Sequence, residues 1–91
     1  MEHMSKTGIE LGLDPDTSRK LTLQTAFGAA LMAQQSTDTL TTLRQNVTSP
    51  GGTTEAAVNT MLEHGMPEAI TSALRAAQQR SVQLSKEFGA S

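Results

Sequence analysis

The segment DPDTSRKLTLQTAFGAALMAQQ, from Asp14 to Gln35, is the longest helical pattern of the first half of the chain. Asp14 is a favoured N-cap residue because its carboxylate can accept a hydrogen bond from a free backbone N–H of the first turn. Pro15 suits the first helical position, and Asp16 places a negative charge where the helix dipole favours one. The segment therefore predicts one long helix that begins after Asp14 and ends near Gln35.

The second half of this helix, AFGAALMA, is apolar on every side. A helix at the surface of a monomer usually has a single apolar stripe. Apolarity all round predicts a helix that is covered on all sides, which a chain of this size does not easily provide. We interpret it as a dimer contact, with small residues that let a second helix approach: Gly28, Ala29, Ala30 and Ala33. The alternative is an ordinary central helix of a single chain.

The rest of the chain also follows helical patterns, and no stretch alternates as a strand would. The predicted segments are Met4–Leu13, which stops at Gly12; Thr39–Asn46, after the capping types Ser36, Thr37 and Asp38; Thr54–His64, closed by Gly65; and a last helix opened by Pro67. The helix Thr54–His64 is expected to bury one face, formed by Ala57, Val58, Met61 and Leu62. The last helix is expected to have a stripe at helical spacing, formed by Ile70, Leu74, Ala77, Ser81, Leu84 and Phe88. The fold class is all-α, a helical bundle of four main helices plus an N-terminal helical fragment.

Composition excludes several classes of protein. The chain has 91 residues, enough for one domain, a net charge of -2 and no cysteine. A nucleic-acid-binding protein normally has a basic surplus, so no nucleic acid is expected. The lack of cysteine and scarcity of histidine argue against a metal site. No signal peptide and no long apolar run are present, so we expect a cytoplasmic protein with no membrane contact. Residues 1–3, in the opening MEHM, are interpreted as an expression scar.

The loop NVTSPGGTT, from Asn46 to Thr54, differs from the helical segments. Pro50 restricts the backbone, and the two following glycines allow positive φ and close approach of a ligand. If Thr53 or Thr54 caps the next helix, the loop lies at a helix N-terminus, where free N–H groups attract anions. The loop contains no lysine or arginine, so a small carboxylate fits better than a polyphosphate. The alternative is a plain Pro-Gly-Gly turn with threonine caps.

The sequence around this loop resembles a known family. LRQNV, VTSPGGTT and EAAVNTMLEHG follow one another as in the signature region of pyrroline-5-carboxylate reductase. GIELGLDPDTSRKLTLQTAFGAALM is similar to the long interface helices of that family, and AITSALRAAQQRSVQLSKEFG to its closing helix. The resemblance covers nearly all of residues 4–91.

The resemblance implies that residues 4–91 are the C-terminal dimerisation and substrate-binding domain of an oxidoreductase. Family members reduce 1-pyrroline-5-carboxylate to L-proline with NADPH or NADH, in proline biosynthesis. Their helical domain forms an intertwined homodimer, and in some members the dimers assemble further. The nicotinamide is bound mainly by an N-terminal Rossmann domain, whose G-x-G-x-x-G this chain does not contain. The chain alone is therefore expected to bind no cofactor and to be inactive.

The resemblance also implies roles for the loop. Ser49 to Thr54 would receive the substrate carboxylate, with backbone N–H groups around Gly51, Gly52 and Thr53 as donors. The hydroxyl of Thr54 would lie near the ring nitrogen and is the nearest candidate for a catalytic group. Val47 would form an apolar wall beside the ring. The rival interpretation is a non-catalytic helical assembly module in which Pro-Gly-Gly is only a structural turn.

Overall fold

The computed structural model describes residues 1–89, in which α-helices are the only regular secondary structure, and this confirms the all-α class. The helices are α1 (Glu2–Glu10), α2 (Pro15–Gln35), α3 (Leu40–Asn46), α4 (Thr53–Glu63) and α5 (Met66–Gly89). They divide into two compact units, one of residues 1–46 and one that starts at Val47. Helix α1 is the predicted N-terminal piece, but it begins at Glu2, ahead of Met4.

The turn between α1 and α2 is a Schellman motif centred on Gly12. Gly12 has a φ of 111°, in the left-handed region that favours glycine. Its N–H donates to the carbonyl of Ile9 at 3.0 Å, and the N–H of Leu13 donates to Gly8 at 3.0 Å. The stop predicted at Gly12 is therefore confirmed.

Helix α2 begins as its sequence predicts. The Asp14 carboxylate accepts a hydrogen bond from the Thr17 N–H at 3.0 Å and another from the Thr17 hydroxyl at 2.7 Å. These two bonds, the backbone one first, hold the pKa of Asp14 below its ordinary value. Pro15 occupies the start of the helix.

Helix α3 is capped by a residue other than those predicted. The hydroxyl of Thr39 accepts a hydrogen bond from the Thr42 N–H at 3.1 Å, so Thr39 is the cap. Ser36 accepts instead from the N–H of Asp38 at 3.0 Å, which is a local turn before the helix. The expectation that Ser36, Thr37 or Asp38 caps α3 was wrong because the chain makes this extra turn first.

Small residues form the contact between α1 and α2. Ser18 is 2% exposed and Thr22 is 7% exposed, and they are the only buried side chains among residues 1–89. The Ser18 hydroxyl donates to the carbonyl of Ser5 at 2.6 Å. A Cβ added at Gly8 would collide with the Ser18 hydroxyl. The two helices therefore lie so close together that Gly8 has no space for a side chain.

In the second unit, α4 packs against α5 across a sharp turn at Gly65. Gly65 has a φ of 73°, and its N–H donates to the carbonyl of Leu62 at 3.2 Å. His64 is the C-cap of α4, so the predicted closure by Gly65 is confirmed. The helices begin one residue earlier than predicted, α4 at Thr53 and α5 at Met66.

No apolar side chain among residues 1–89 is buried within the chain. The prediction that one face of α4 is buried was wrong for the single chain, since Leu62 is 56% exposed and Ala57 is also exposed. The apolar residues of α2 and α5 are likewise open, with Phe27 at 61% and Leu74 at 67%. These faces have the helical spacing that was predicted, but the chain does not cover them by itself.

The solvent-exposed area of the chain also indicates that the chain does not cover these faces by itself. Two separate globular units, each of half the mass of this 9.6 kDa chain, would together expose about 6,100 Å². The chain exposes 7623 Å². Many large apolar side chains of the helices contribute to the exposed area, among them Phe27, Leu74 and Phe88. None of the helices within residues 1–89 is long and apolar enough to cross a membrane.

Candidate functional site

The loop before α4 is a type II turn over residues 49–52. The N–H of Gly52 donates to the carbonyl of Ser49 at 3.0 Å, and Gly51 has a φ of 74°. Proline at the second position and a left-handed glycine at the third are the residues that this turn requires. A Cβ at Gly52 would lie 3.1 Å from the Ser49 carbonyl oxygen, so this position also favours glycine.

The N-cap of α4 is Gly52, with an extended backbone and no capping side chain. The expectation that Thr53 or Thr54 caps this helix was wrong, because both already lie in its first turn. The acidic residue of that turn, Glu55, bonds back to the loop instead. Its carboxylate accepts a hydrogen bond from the Gly51 N–H at 3.1 Å. This resembles a capping box, in which an acidic residue at the third helical position bonds a backbone N–H before the helix.

These bonds divide the backbone donors of the loop into two groups. The N–H groups of Gly51 and Gly52 are already used within the chain. Within residues 1–89, the N–H groups of Thr53, Thr54 and Glu55 have no acceptor. These three donors carry the partial positive charge of a helix N-terminus. The donors available to a bound anion are therefore shifted by two residues along the chain from those expected, and Thr53 is common to both sets.

A shallow cavity of about 150 Å³ lies at this position. Its lining consists of Val47, Ser49, Gly52, Thr53 and Thr54. Five of the six predicted site residues thus lie together, while Gly51 is outside the lining. Thr54 is half-buried, and Val47 is 52% exposed at the edge of the cavity. Their roles in binding stay predictions.

The chemistry of this cavity suits a small anionic molecule with an apolar part. Hydroxyl groups of Ser49, Thr53 and Thr54 and the free helix N–H groups are hydrogen-bond donors for an oxyanion. Val47 offers an apolar contact on the same cavity. Neither lysine nor arginine lines it, so the binding would depend on hydrogen bonds and the helix dipole.

Glu55 is the residue that sequence reasoning missed. Part of the signal was present in the sequence, because an acidic residue at the third helical position is the second half of a capping box. It was obscured by the assignment of the cap to a threonine, which moves the third helical position away from Glu55. The site was therefore predicted without the group that bonds the turn to the helix.

A sequence profile of the pyrroline-5-carboxylate reductase dimerisation family matches residues 1–84. A pyrroline-5-carboxylate reductase of Pseudomonas aeruginosa is 46% identical over 89 residues, which are 98% of this chain and 33% of that protein. Pyrroline-5-carboxylate reductase 1 of Bacillus subtilis is 41% identical over 88 residues, 97% of this chain and 30% of that protein. The chain thus spans about a third of the length of these relatives.

A solved structure has the same arrangement of helices. The crystal structure of Plasmodium falciparum pyrroline carboxylate reductase with NADP bound matches 88% of this chain and 32% of its own, with a TM-score of 0.84 and 29% identity. Sequence and structure therefore agree over almost the whole chain. The chain belongs to the family of pyrroline-5-carboxylate reductase dimerisation domains.

Proposed function

We propose that this chain is the dimerisation and substrate-binding part of a reductase that converts 1-pyrroline-5-carboxylate to L-proline with NADPH or NADH. The reaction places the protein in proline biosynthesis, and we propose a cytoplasmic location. The observation that carries the proposal is the cavity at the start of α4, whose hydroxyl and N–H donors converge beside an apolar residue. A pyrroline carboxylate has the matching parts, a carboxylate and a small apolar ring.

In this proposal the free N–H groups of Thr53 and Thr54 and the hydroxyl of Ser49 bind the substrate carboxylate. The half-buried hydroxyl of Thr54 lies near the ring nitrogen and hydrogen-bonds it, and Val47 packs beside the ring carbons. The task of these residues is orientation, since holding the C=N carbon in one place reduces the entropy cost of the reaction. Gly51 supports the turn and does not contact the substrate.

The nicotinamide supplies the hydride when it is bound. Residues 1–89 contain helices and loops but no strand, so they do not offer the glycine-rich strand-to-helix turn that holds a dinucleotide. We therefore assign the cofactor to polypeptide beyond this chain. The relative of known structure from Plasmodium falciparum has NADP bound, which supports a nicotinamide cofactor for the whole enzyme.

We propose that the functional unit is a homodimer. The family is one of dimerisation domains, and the apolar faces of α2 and α5 are left open by the chain itself. A second copy would cover them and bury the apolar surface whose removal from water drives such association. An intertwined pairing of the two copies stays a prediction, as does assembly beyond the dimer.

A second candidate is a non-catalytic assembly module. The observation in its favour is that the Gly51 and Gly52 N–H groups are both satisfied within the chain, as in a purely structural turn. This candidate explains the turn, and the unpaired N–H groups of the α4 first turn fit it as well, because every helix N-terminus has such groups.

Two related substrates distinguish the candidates. The longer polypeptide that carries this chain would be assayed for NADPH oxidation with 1-pyrroline-5-carboxylate and with 1-pyrroline, which lacks the carboxylate. If the loop binds the carboxylate, kcat/KM for 1-pyrroline is expected to be lower by about a hundredfold, near the upper end of the effect of losing one hydrogen bond to a charged group. Equal kcat/KM values would contradict carboxylate binding, and absence of turnover with either compound would favour the assembly module.

A further inference from the structure

Glu55 is bonded to the loop but does not touch the cavity. It is half-buried, and its carboxylate oxygen accepts the Gly51 N–H at 3.1 Å. It is not among the residues that line the cavity. Its action on a bound molecule must therefore pass through the turn that it holds.

We propose that Glu55 is a positioning residue for substrate binding: its hydrogen bond to Gly51 fixes the turn so that the cavity is formed before the substrate arrives. This inference rests on the proposed function. Two hydrogen bonds hold the turn, one from Gly52 to Ser49 and one from Gly51 to Glu55. Only the second connects the turn to a side chain of α4, on which Thr53 and Thr54 lie.

Loss of this bond would release a flexible segment. Glycine has more accessible backbone conformations than other residues, and Gly51 and Gly52 lie next to each other in the turn. With Glu55 removed, the segment would have to be ordered when the substrate binds. That ordering opposes binding and is avoided when the site is formed in advance.

Glu55 also has an opposite effect through its charge. A carboxylate beside the cavity repels an anionic substrate, so its negative charge weakens binding while its hydrogen bond strengthens it. A glutamine keeps an oxygen that can accept the Gly51 N–H but removes the charge. Glu55→Ala therefore removes both the hydrogen bond and the charge, whereas Glu55→Gln removes the charge alone.

The test uses steady-state kinetics of the longer polypeptide that carries this chain, with 1-pyrroline-5-carboxylate varied. Glu55→Ala is expected to raise KM about tenfold, the effect of losing one hydrogen bond to a charged group, with kcat changed less than about twofold. Glu55→Gln is expected to show a KM equal to or below that of the wild type. The control is Glu63→Ala, which removes the same charge from the other end of α4 and should leave KM unchanged.

Three results would overturn the inference. An unchanged KM in Glu55→Ala would mean that the hydrogen bond does not matter for binding. An equal rise in Glu55→Ala and Glu55→Gln would mean that the bond to the turn is not what the carboxylate contributes. Absence of turnover by the wild-type polypeptide would instead refute the proposed function, and this inference with it, so the two failures can be told apart.

Discussion

At the scale of single residues, Thr54 has the most specific role in the proposed site. It lines the cavity, it is half-buried, and its backbone N–H has no acceptor among residues 1–89. Thr60, which lies on the same helix, is a useful comparison. The Thr60 hydroxyl donates to the carbonyl of Ala56 at 2.9 Å and is exposed, away from the loop.

Replacing Thr54 with alanine in the longer polypeptide is expected to lower kcat/KM for 1-pyrroline-5-carboxylate, with a loss of transition-state stabilisation of about 1–3 kcal/mol, because one half-buried hydrogen-bond partner is lost. Dimerisation should be unaffected, as the change removes only a hydroxyl and a methyl group at the loop. Steady-state kinetics and sedimentation would measure the two properties. Thr60→Ala is the control and should retain normal kinetics. A Thr54→Ala variant with wild-type kcat/KM would exclude Thr54 from the site.

Predictions made from the sequence for single residues were right at some positions and wrong at others. Gly12, Gly65 and Asp14 have the conformations or hydrogen bonds predicted for them, because a helix stop or a cap depends on a few neighbouring atoms. The start of α4 was predicted less well. Glycine and threonine are both acceptable N-caps, so local rules did not choose between Gly52 and Thr53, and the role of Glu55 depends on that choice.

At the scale of elements, the contact between α1 and α2 is the tightest in the chain. It depends on the absence of a side chain at Gly8 and on the buried hydroxyl of Ser18. The sequence predicted both helices. It did not predict that serine and threonine would be the buried residues of α2, because polar side chains are usually exposed.

Gly8→Ala is expected to destabilise the chain by about 1–3 kcal/mol, the usual effect of adding a group to a filled contact. Chemical denaturation at one fixed protein concentration would measure this, since the stability of an oligomer depends on concentration. Ser18→Ala removes the hydroxyl that the new methyl group meets, so Gly8→Ala should cost less in that background. Equal costs in the two backgrounds would contradict the close contact, because distant sites are additive.

At the scale of the whole molecule, residues 1–89 form no apolar core of their own. The apolar faces of α2, α4 and α5 have helical spacing, yet none of their side chains is buried among residues 1–89. The sequence indicated this through the apolar segment Ala26–Ala33, which has more apolar surface than one small chain can cover. The identity of the covering surface could not be predicted from periodicity, which describes a face and not its partner.

Gly28→Leu tests directly whether a second copy of the chain packs against α2 at this position. A Cβ at Gly28 would meet nothing within 4 Å in the chain, so a larger side chain causes no clash inside one protomer. If another helix packs there, leucine should weaken the dimer, which sedimentation over a dilution series would detect. The control is Gln79→Leu, which adds an apolar side chain at an exposed position of α5. Equal association of the two variants would show that Gly28 is not at the interface.

The most direct test of the central claim is a rate of NADPH oxidation on addition of 1-pyrroline-5-carboxylate. It would be measured for the longer polypeptide and, in parallel, for the 91-residue chain alone. We expect turnover that saturates with substrate for the longer polypeptide and none for the chain alone, to which we assign no hydride donor site. No turnover by the folded longer polypeptide with either NADPH or NADH would contradict the account, and so would turnover by the chain alone.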